Sequence, residues 1–187
     1  MRDSKRLAKN TVMLYFRTMF TMAITLFTSR IVLDSLGVDN YGIYNVVGGV
    51  IAMFSILTGS LSISISRYIT YELGRGGKEK LQRIFSTSIN ILLIFSLIII
   101  VLGETVGMWF LNNKMNIPVN RLYAANWVLQ FSMLTFIVNL ISIPYNATII
   151  AHERMSAFAY VSILEVSLKL IVVYLLYISP YDKLIVY

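Results

Sequence analysis

The sequence contains no cysteine, a single histidine and only three prolines among its 187 residues. Without cysteine the chain can form neither a disulfide-stabilised secreted domain nor a thiolate metal site, and one histidine supplies no histidine-rich metal cluster. Charged residues are also scarce, at 13% against about 25% in ordinary soluble domains. Because 57% of the residues are hydrophobic, too little polar surface remains to cover a globule, which excludes a water-soluble enzyme.

The sequence contains several long apolar runs. A membrane-spanning helix needs about 20 mostly apolar residues. Runs of this kind occur at 10–33, 41–69, 84–111, 122–150 and 157–178, and residues 183–187, after the polar segment 179–182, resemble the start of a sixth span. The predicted fold class is therefore all-α, a polytopic transmembrane helix bundle forming a single domain over residues 1–187. Residues 60–66 alternate with a period of two, but they lie within a longer apolar run and are interpreted as helix.

The basic residues indicate an orientation. The net charge is +7, and a cytoplasmic N-terminus places most lysines and arginines of the loops on the inner side, as the positive-inside rule requires. The same count argues against nucleic acid as a partner, because the positive charge is divided among short loops instead of being gathered on one face.

Three of the spans carry polar residues on one helical face. At about 100° per residue, the members are Asn10, Arg17, Thr21, Thr25 and Thr28 on the first span, Ser132, Thr135, Asn139, Ser142 and Asn146 on the fourth, and Ser162, Glu165 and Lys169 on the fifth. Polar groups inside hydrocarbon usually face the interior of a bundle or a water-filled cavity. For the hydroxyl groups alone, packing between helices or bonding to their own backbone is the favoured alternative.

The charged members of these stripes have separate alternatives. Arg17 lies about six residues into its span, so it either faces a cavity or extends back to the interface. Lys169 lies near the middle of its span, where an ion pair with Glu165, one turn earlier, is slightly favoured over direct contact with a substrate. For Glu104, in the outer third of the third span, exposure at the interface is favoured.

Other residues suggest structural roles. The small residues Gly48, Ala52, Ser55 and Gly59 recur at helical spacing and predict close approach of a neighbouring helix. Pro144 permits a kink in the fourth span. Arg30 is expected to contact Asp34 at i+4, and Arg67 is expected to anchor either to the headgroups or to a helix end.

Three stretches in sequence order resemble one known family. "SRIVLDSLGVDNYGIYNVVGGV" (29–50), "SISRYITYELGRG" (64–76) and "PYNATIIAHERM" (144–155) are similar to polysaccharide flippases, the Wzx-like branch of the multidrug/oligosaccharidyl-lipid/polysaccharide exporter superfamily. The resemblance implies two six-helix lobes that face each other across a cationic cavity, of which this chain is the N-terminal lobe. We therefore expect a fragment or a truncated gene product that lacks the C-terminal lobe.

The resemblance also implies a function and a place. The family moves undecaprenyl-pyrophosphate-linked oligosaccharide repeat units across the bacterial cytoplasmic (inner) membrane, and the expected mechanism is alternating access. The expected partners are the lipid bilayer, the lipid-linked oligosaccharide, the missing lobe and either a polysaccharide polymerase or glycosyltransferases. No cofactor is expected, and coupling to a proton or sodium gradient is left open. The sequence shows no P-loop, no paired catalytic carboxylates and no nucleophile with a base, so an enzyme is not expected.

The polar stripes and the family resemblance together predict the residues of the site. An arginine fork suits phosphate, so Arg17 is the first candidate for the pyrophosphate and Lys169 the second. The predicted substrate-binding residues are Arg17, Thr21, Thr28, Asn139, Asn146, Glu165 and Lys169, and the structural or gating candidates are Arg30, Asp34, Arg67 and Pro144. Two alternatives stay open: a secondary exporter of small molecules or drugs on the same fold, and a membrane scaffold that does not transport.

Overall fold

A computed structural model describes residues 2–178 and 183–186, and over these residues the regular elements are all helical. The helices are α1 (Arg2–Ala52), α2 (Ser55–Arg75), α3 (Lys78–Leu102), α4 (Met108–Asn113), α5 (Leu122–Ala151), α6 (Met155–Ile178) and α7 (Lys183–Val186), with a π-helical turn at Gly103–Gly107 and a 3₁₀ turn at Val119–Arg121. The predicted all-α class is confirmed. Residues 60–66 are helical, as part of α2. The predicted polar segment 179–182 lies outside the described residues.

Helix α1 is interrupted at Gly37. This residue has φ 76° and ψ 166°, a conformation that glycine reaches without steric cost because it has no Cβ. Gly37 lies between the first and second predicted spans. A second break follows Ala52, where the amide of Phe54 donates to the carbonyl of Ile51 at 3.1 Å before α2 begins. The segment 41–69 is therefore divided between the end of α1 and the first part of α2.

Among the described residues, four stretches of helix are long and apolar enough to cross a membrane: Asn10–Ala52, Lys78–Asn113, Val119–Ala151 and Met155–Ile178. Helix α2 is not among them, because the serines at 55, 60, 62, 64 and 66 and the charges near its C-terminal end reduce its apolar character. The helices identify a polytopic membrane protein. The exact span boundaries and the single domain over 1–187 stay predictions.

The chain forms two compact units. The second unit, Gly42–Ala151, contains a bundle of α2, α3 and α5. Helices α2 and α3 form a hairpin, in which Gly76, in the left-handed region at φ 75°, ends α2 and donates its amide to the carbonyl of Leu73. The bundle core consists of Ile65, Ile69, Leu92, Leu140 and Ala147, all buried. Burying these apolar side chains stabilises the packing of the three helices.

Helices α3 and α5 approach closely at two glycines of the π-helical turn. A Cβ placed on Gly103 would overlap the sulfur of Met133, and one on Gly107 would lie 3.6 Å from Leu129. Gly103 lies opposite Met133, and Gly107, four residues later, lies opposite Leu129, four residues earlier. The two helices therefore run antiparallel. Two glycines four residues apart let helices pack closely in membranes.

The small-residue stripe predicted from Gly48 to Gly59 does not form a close contact with a neighbouring helix in the described residues. A Cβ at Gly48 or at Gly59 would meet no atom of the described residues within 4 Å. The break between Ala52 and Ser55 also removes the continuous helix on which that stripe depends. The described residues therefore show no close helix packing at Gly48 or Gly59.

The first unit consists of the residues up to Tyr41 together with those from His152 onward. In this unit α1 buries Thr28, Val32 and Leu36, which recur every four residues and therefore share one face. Helix α6 buries a face that carries Ala159, Ser162, Val173 and Leu176. These two helices hold the predicted site residues Arg17, Glu165 and Lys169.

Candidate substrate-binding surface

The guanidinium of Arg17 lies over an aromatic ring of α6. Its Cζ atom is 4.3 Å from the centroid of the Phe158 ring, a distance typical of a cation–π contact. The Nε atom of Arg17 is buried and has no hydrogen-bond partner among the described residues. The side chain is only half-buried overall, so the rest of the fork remains accessible. Both alternatives for Arg17, facing a cavity or extending back to the membrane interface, stay predictions.

The threonines of the α1 stripe are bonded to their own helix. The hydroxyl of Thr21 donates to the carbonyls of Arg17 at 2.9 Å and Thr18 at 3.0 Å, and that of Thr28 donates to the carbonyl of Thr25 at 3.0 Å. Thr28 is only 2% exposed. These bonds agree with the packing interpretation of the hydroxyl stripe, although Thr21 remains partly accessible.

Glu165 and Lys169 lie on the buried face of α6 but are themselves exposed. The face that contains Phe158 and Ser162 continues through Glu165 and Lys169 to Val173, at spacings of three and four residues. Ser162 and Val173 are buried, whereas the two charged side chains between them are exposed. The buried face of α6 is therefore open over about one and a half turns in the middle of the helix, and both charges lie at this opening.

The ion pair that the sequence favoured for these two residues is not formed. In the part of the chain that the structure describes, Glu165 and Lys169 make no ion pair and no side-chain hydrogen bond. The same holds for Arg30 and Asp34, which are both exposed and are not paired in the described residues. These two expected contacts are wrong, because helical spacing allows such pairs without requiring them.

The polar stripe of α5 lies outside the core of the three-helix bundle. Asn139 is exposed and Asn146 is half-buried. The stripe is centred about 100° around α5 from the face that carries Leu140 and Ala147. These amides are therefore not used to pack the bundle of α2, α3 and α5. Whether they lie near Arg17 or Lys169 of the other unit stays a prediction.

The two remaining structural candidates have different environments. Pro144 is fully buried within α5, which continues through it from Leu122 to Ala151. The carbonyl of Pro144 accepts a hydrogen bond from the hydroxyl of Thr148 at 2.8 Å. Arg67 is exposed on α2, next to Tyr68. The predicted hinge at Pro144 and the predicted anchor at Arg67 both stay predictions.

Sequence reasoning overlooked Phe158 and the segment Gly103–Gly107. Phe158 precedes Ser162, Glu165 and Lys169 by four, seven and eleven residues, and this spacing alone could have placed it on their face. The sequence "GETVG" is a pair of glycines four residues apart within an apolar helix, a recognised signal for close helix packing. Within it, Glu104 accepts a hydrogen bond of 2.6 Å from Nε2 of Gln130.

Together these features define a multi-pass α-helical membrane protein with several polar groups on the membrane-spanning helices. Among known proteins, the chain is similar to the "Uncharacterized membrane protein EpsK" of Bacillus subtilis (strain 168), with 20% identity over 159 residues. The matched region covers 85% of this chain but only 31% of that relative, so the chain spans about a third of the relative's length. No protein-family model matches the chain, and no solved structure is significantly similar to it.

Proposed function

We propose that this chain forms one lobe of a flippase that moves undecaprenyl-pyrophosphate-linked oligosaccharide repeat units across the bacterial cytoplasmic membrane, with its N-terminus in the cytoplasm. The observation that carries the proposal is the side chain of Arg17. Its buried Nε has no acceptor among the described residues, and its guanidinium is fixed over Phe158. The half-buried side chain makes no hydrogen bond to the described residues, so an anionic ligand can accept from the Nη donors of its guanidinium.

The shape of the arginine favours phosphate as that ligand. A guanidinium presents its donors as a planar fork that bonds two oxygens at once, and a pyrophosphate presents several oxygens with negative charge. The position of the guanidinium over the Phe158 ring uses no hydrogen-bond donor, so its Nη donors remain available to such a group. In the predicted span Arg17 is about 9 Å deep, where an anion moving from the interface would first meet it.

The opening in the buried face of α6 supplies a second position for charge. Lys169 and Glu165 are exposed there and lie on the same face as Phe158. Along α6, Lys169 is about 16 Å from the position of Phe158. An anionic group bound first at Arg17 would therefore have a second cation deeper in the predicted span. The amides of Asn139 and Asn146, which do not belong to the bundle core, are suited to bond sugar hydroxyls.

The proposed mechanism is alternating access between this lobe and a facing one. Binding of the pyrophosphate at Arg17 would neutralise its charge, and rocking of the two lobes would transfer it from the inner to the outer leaflet. Without such compensation, moving a charged diphosphate through hydrocarbon costs many kcal/mol. The role of the protein is binding and movement, without bond cleavage.

A binding measurement on the purified chain in nanodiscs tests the proposal. The probes are undecaprenyl pyrophosphate, undecaprenyl phosphate and undecaprenol. They share one polyprenyl chain and differ only in the number of phosphate groups. We expect the pyrophosphate to bind most tightly and Arg17→Gln to weaken its binding at least about tenfold, as the loss of a charge-assisted hydrogen bond requires. Arg17→Lys should restore only part of the affinity, since lysine lacks the fork.

Arg30→Gln is the matched control, because it removes the same charge from the same helix at an exposed position. It should leave the affinity unchanged. Equal affinity of the three lipids, or equal effects of the Arg17 and Arg30 substitutions, would refute the proposal. Displacement of the lipid by a small lipophilic cation would favour the small-molecule exporter instead.

A further inference from the structure

A groove runs along the surface of the second unit between α2 and α3. Its central part has a volume of about 410 Å³, with walls formed by apolar side chains of both helices, among them Leu61, Ile65 and Ile91. A further cleft of about 370 Å³ shares Leu61 and Ile91 with it and extends to Ile98. Because adjoining clefts share lining residues, they form one continuous groove.

At the other end the groove opens among charged and polar groups. A third cleft, of about 570 Å³, shares Arg83 and Thr87 with the central one and includes Lys80. Both basic side chains are exposed, and the hydroxyl of Thr87 has no partner among the described residues. Glu79 also lines this outer cleft, so its carboxylate would repel an anion from the outermost part and favour a position beside Arg83.

The groove is longer than the hydrocarbon of one membrane leaflet. From Arg83 to Ile98 it follows α3 for about 22 Å, while the hydrocarbon of one leaflet is about 15 Å thick. The groove can therefore hold one hydrocarbon chain over the full depth of a leaflet. Ile91 is 51% exposed and Ile98 47% exposed, so the groove is open to a lipid along its length.

We infer that this groove binds an anionic phospholipid of the membrane, with one acyl chain between α2 and α3 and the headgroup phosphate at Arg83. The complementary arrangement of charge carries the inference: the apolar walls end at a guanidinium and an unpaired hydroxyl, both suited to phosphate oxygens. Lys80 adds a second positive charge, which favours anionic over zwitterionic headgroups. This site belongs to α2 and α3 and does not depend on the function proposed for Arg17.

Native mass spectrometry of the delipidated full chain tests the inference. The chain is titrated with phosphatidylglycerol, with phosphatidylcholine of the same acyl chains, with undecaprenyl phosphate and with glycerol phosphate, which has no acyl chain. We expect phosphatidylglycerol to bind most tightly. Arg83→Gln should weaken its binding about tenfold, the effect of losing one charge-assisted hydrogen bond, and should also weaken phosphatidylcholine, which carries the same phosphate, whereas Lys80→Gln should weaken phosphatidylglycerol more than phosphatidylcholine.

Two matched pairs of variants distinguish the contribution of the headgroup contact from that of the acyl-chain contact. Lys78→Gln removes a positive charge from the same end of α3 without lining the groove, and it should have no effect. Ile91→Trp should fill the groove and weaken binding of both phospholipids, whereas Leu93→Trp, on another face of α3, should not.

Three outcomes would overturn the inference. Equal effects of Arg83→Gln and Lys78→Gln would mean that only general charge attracts the lipid. Binding of glycerol phosphate as tight as that of phosphatidylglycerol would exclude the groove as the source of affinity. If undecaprenyl phosphate bound more tightly than phosphatidylglycerol, the occupant of the groove would be a polyprenyl chain and not an acyl chain.

Discussion

Gln130 of α5 donates a hydrogen bond of 2.6 Å from Nε2 to Oε1 of Glu104 in the π-helical turn that follows α3. The bond lies beside the contact that Gly103 makes with Met133. A π-helical turn adds a residue to a helix and so changes the direction in which the following side chains point. Here it lies between the two parts of a helix that continues from Lys78 to Asn113, and it places a carboxylate against an amide of the neighbouring helix.

The first prediction concerns the strength of this bond. In a double-mutant cycle, Glu104→Ala and Gln130→Ala should show a coupling energy of about 0.6 kcal/mol, the mean measured for hydrogen bonds between membrane helices, and at most about 1.7 kcal/mol. Glu104→Gln should retain most of the stability, because a glutamine carbonyl can accept the same bond. Unfolding of the chain by dodecyl sulfate in mixed micelles measures the free energies. Additive single substitutions would show that the bond contributes nothing.

The second prediction concerns the glycine contact between α3 and α5. Gly103→Ala should destabilise the bundle by about 1–3 kcal/mol, because the new methyl group overlaps the side chain of Met133. The flexibility of methionine favours the lower end of this range. Gly107→Ala should cost less, since its Cβ meets Leu129 at an ordinary contact distance of 3.6 Å.

Gly59→Ala is the control for this experiment. Its Cβ would meet no described atom within 4 Å, so the substitution should leave stability unchanged or raise it through the higher helix propensity of alanine. A loss at Gly59 equal to the loss at Gly103 would contradict the packing argument. If Met133→Ala partly restored the stability lost in Gly103→Ala, the overlap would be with the side chain of Met133.

The fold class could be predicted because it depends on composition and on the length of the apolar runs. Residues 60–66 show why length outweighs local alternation: their period of two is typical of a strand, yet they lie in a helical run and form part of α2. The break after Ala52 could not be predicted in the same way. No proline marks it, and apolar residues continue across it, so hydropathy alone extends the helix from residue 41 to residue 69.

The candidate site was predictable in composition but not in its contacts. Helical phase places Arg17 on a polar face, but it cannot show that Phe158, more than a hundred residues later, lies under the guanidinium. Phase also places Glu165 and Lys169 one turn apart without deciding whether they pair. That choice depends on the side-chain conformations, and the structure shows no ion pair between the two residues.

The third prediction follows from this missing pair. Because Glu165 and Lys169 do not form an ion pair, Glu165→Gln and Lys169→Gln should be additive within about 0.5 kcal/mol in a double-mutant cycle. The same unfolding measurement supplies the three free energies relative to the unmodified chain. A coupling above about 1 kcal/mol would show that the two charges stabilise each other and would make them a structural pair.

The fourth prediction concerns the aromatic ring beneath Arg17. Phe158→Leu removes the π face but keeps an apolar side chain, and it should destabilise the chain by about 0.5–2 kcal/mol. Phe158→Tyr retains the ring and should cost much less. The effect of Phe158→Leu should disappear when Arg17 is already replaced by glutamine. If the loss persists in that background, it comes from general packing of α6 and not from the guanidinium.

The last prediction uses the only two tryptophans of the sequence as probes of membrane depth. Trp109 of α4 has the ammonium of Lys114 5.7 Å from its ring centroid, and Trp127 of α5 packs between Tyr123 and Phe131. Aromatic rings and a lysine grouped near helix ends are typical of the membrane interface. Lipids carrying a nitroxide near the headgroup should therefore quench the fluorescence of both tryptophans more strongly than lipids carrying it near the end of the acyl chain.

Single-tryptophan variants make this measurement specific. Trp109→Phe and Trp127→Phe each leave one probe, and Leu97→Trp in the doubly substituted chain supplies a reference in the middle of the long helix that begins at Lys78. That reference should show the opposite order, with stronger quenching by the deep nitroxide. If Trp109 or Trp127 followed the order of the reference, the aromatic cluster would lie inside the hydrocarbon, and α4 would not mark the end of a membrane span.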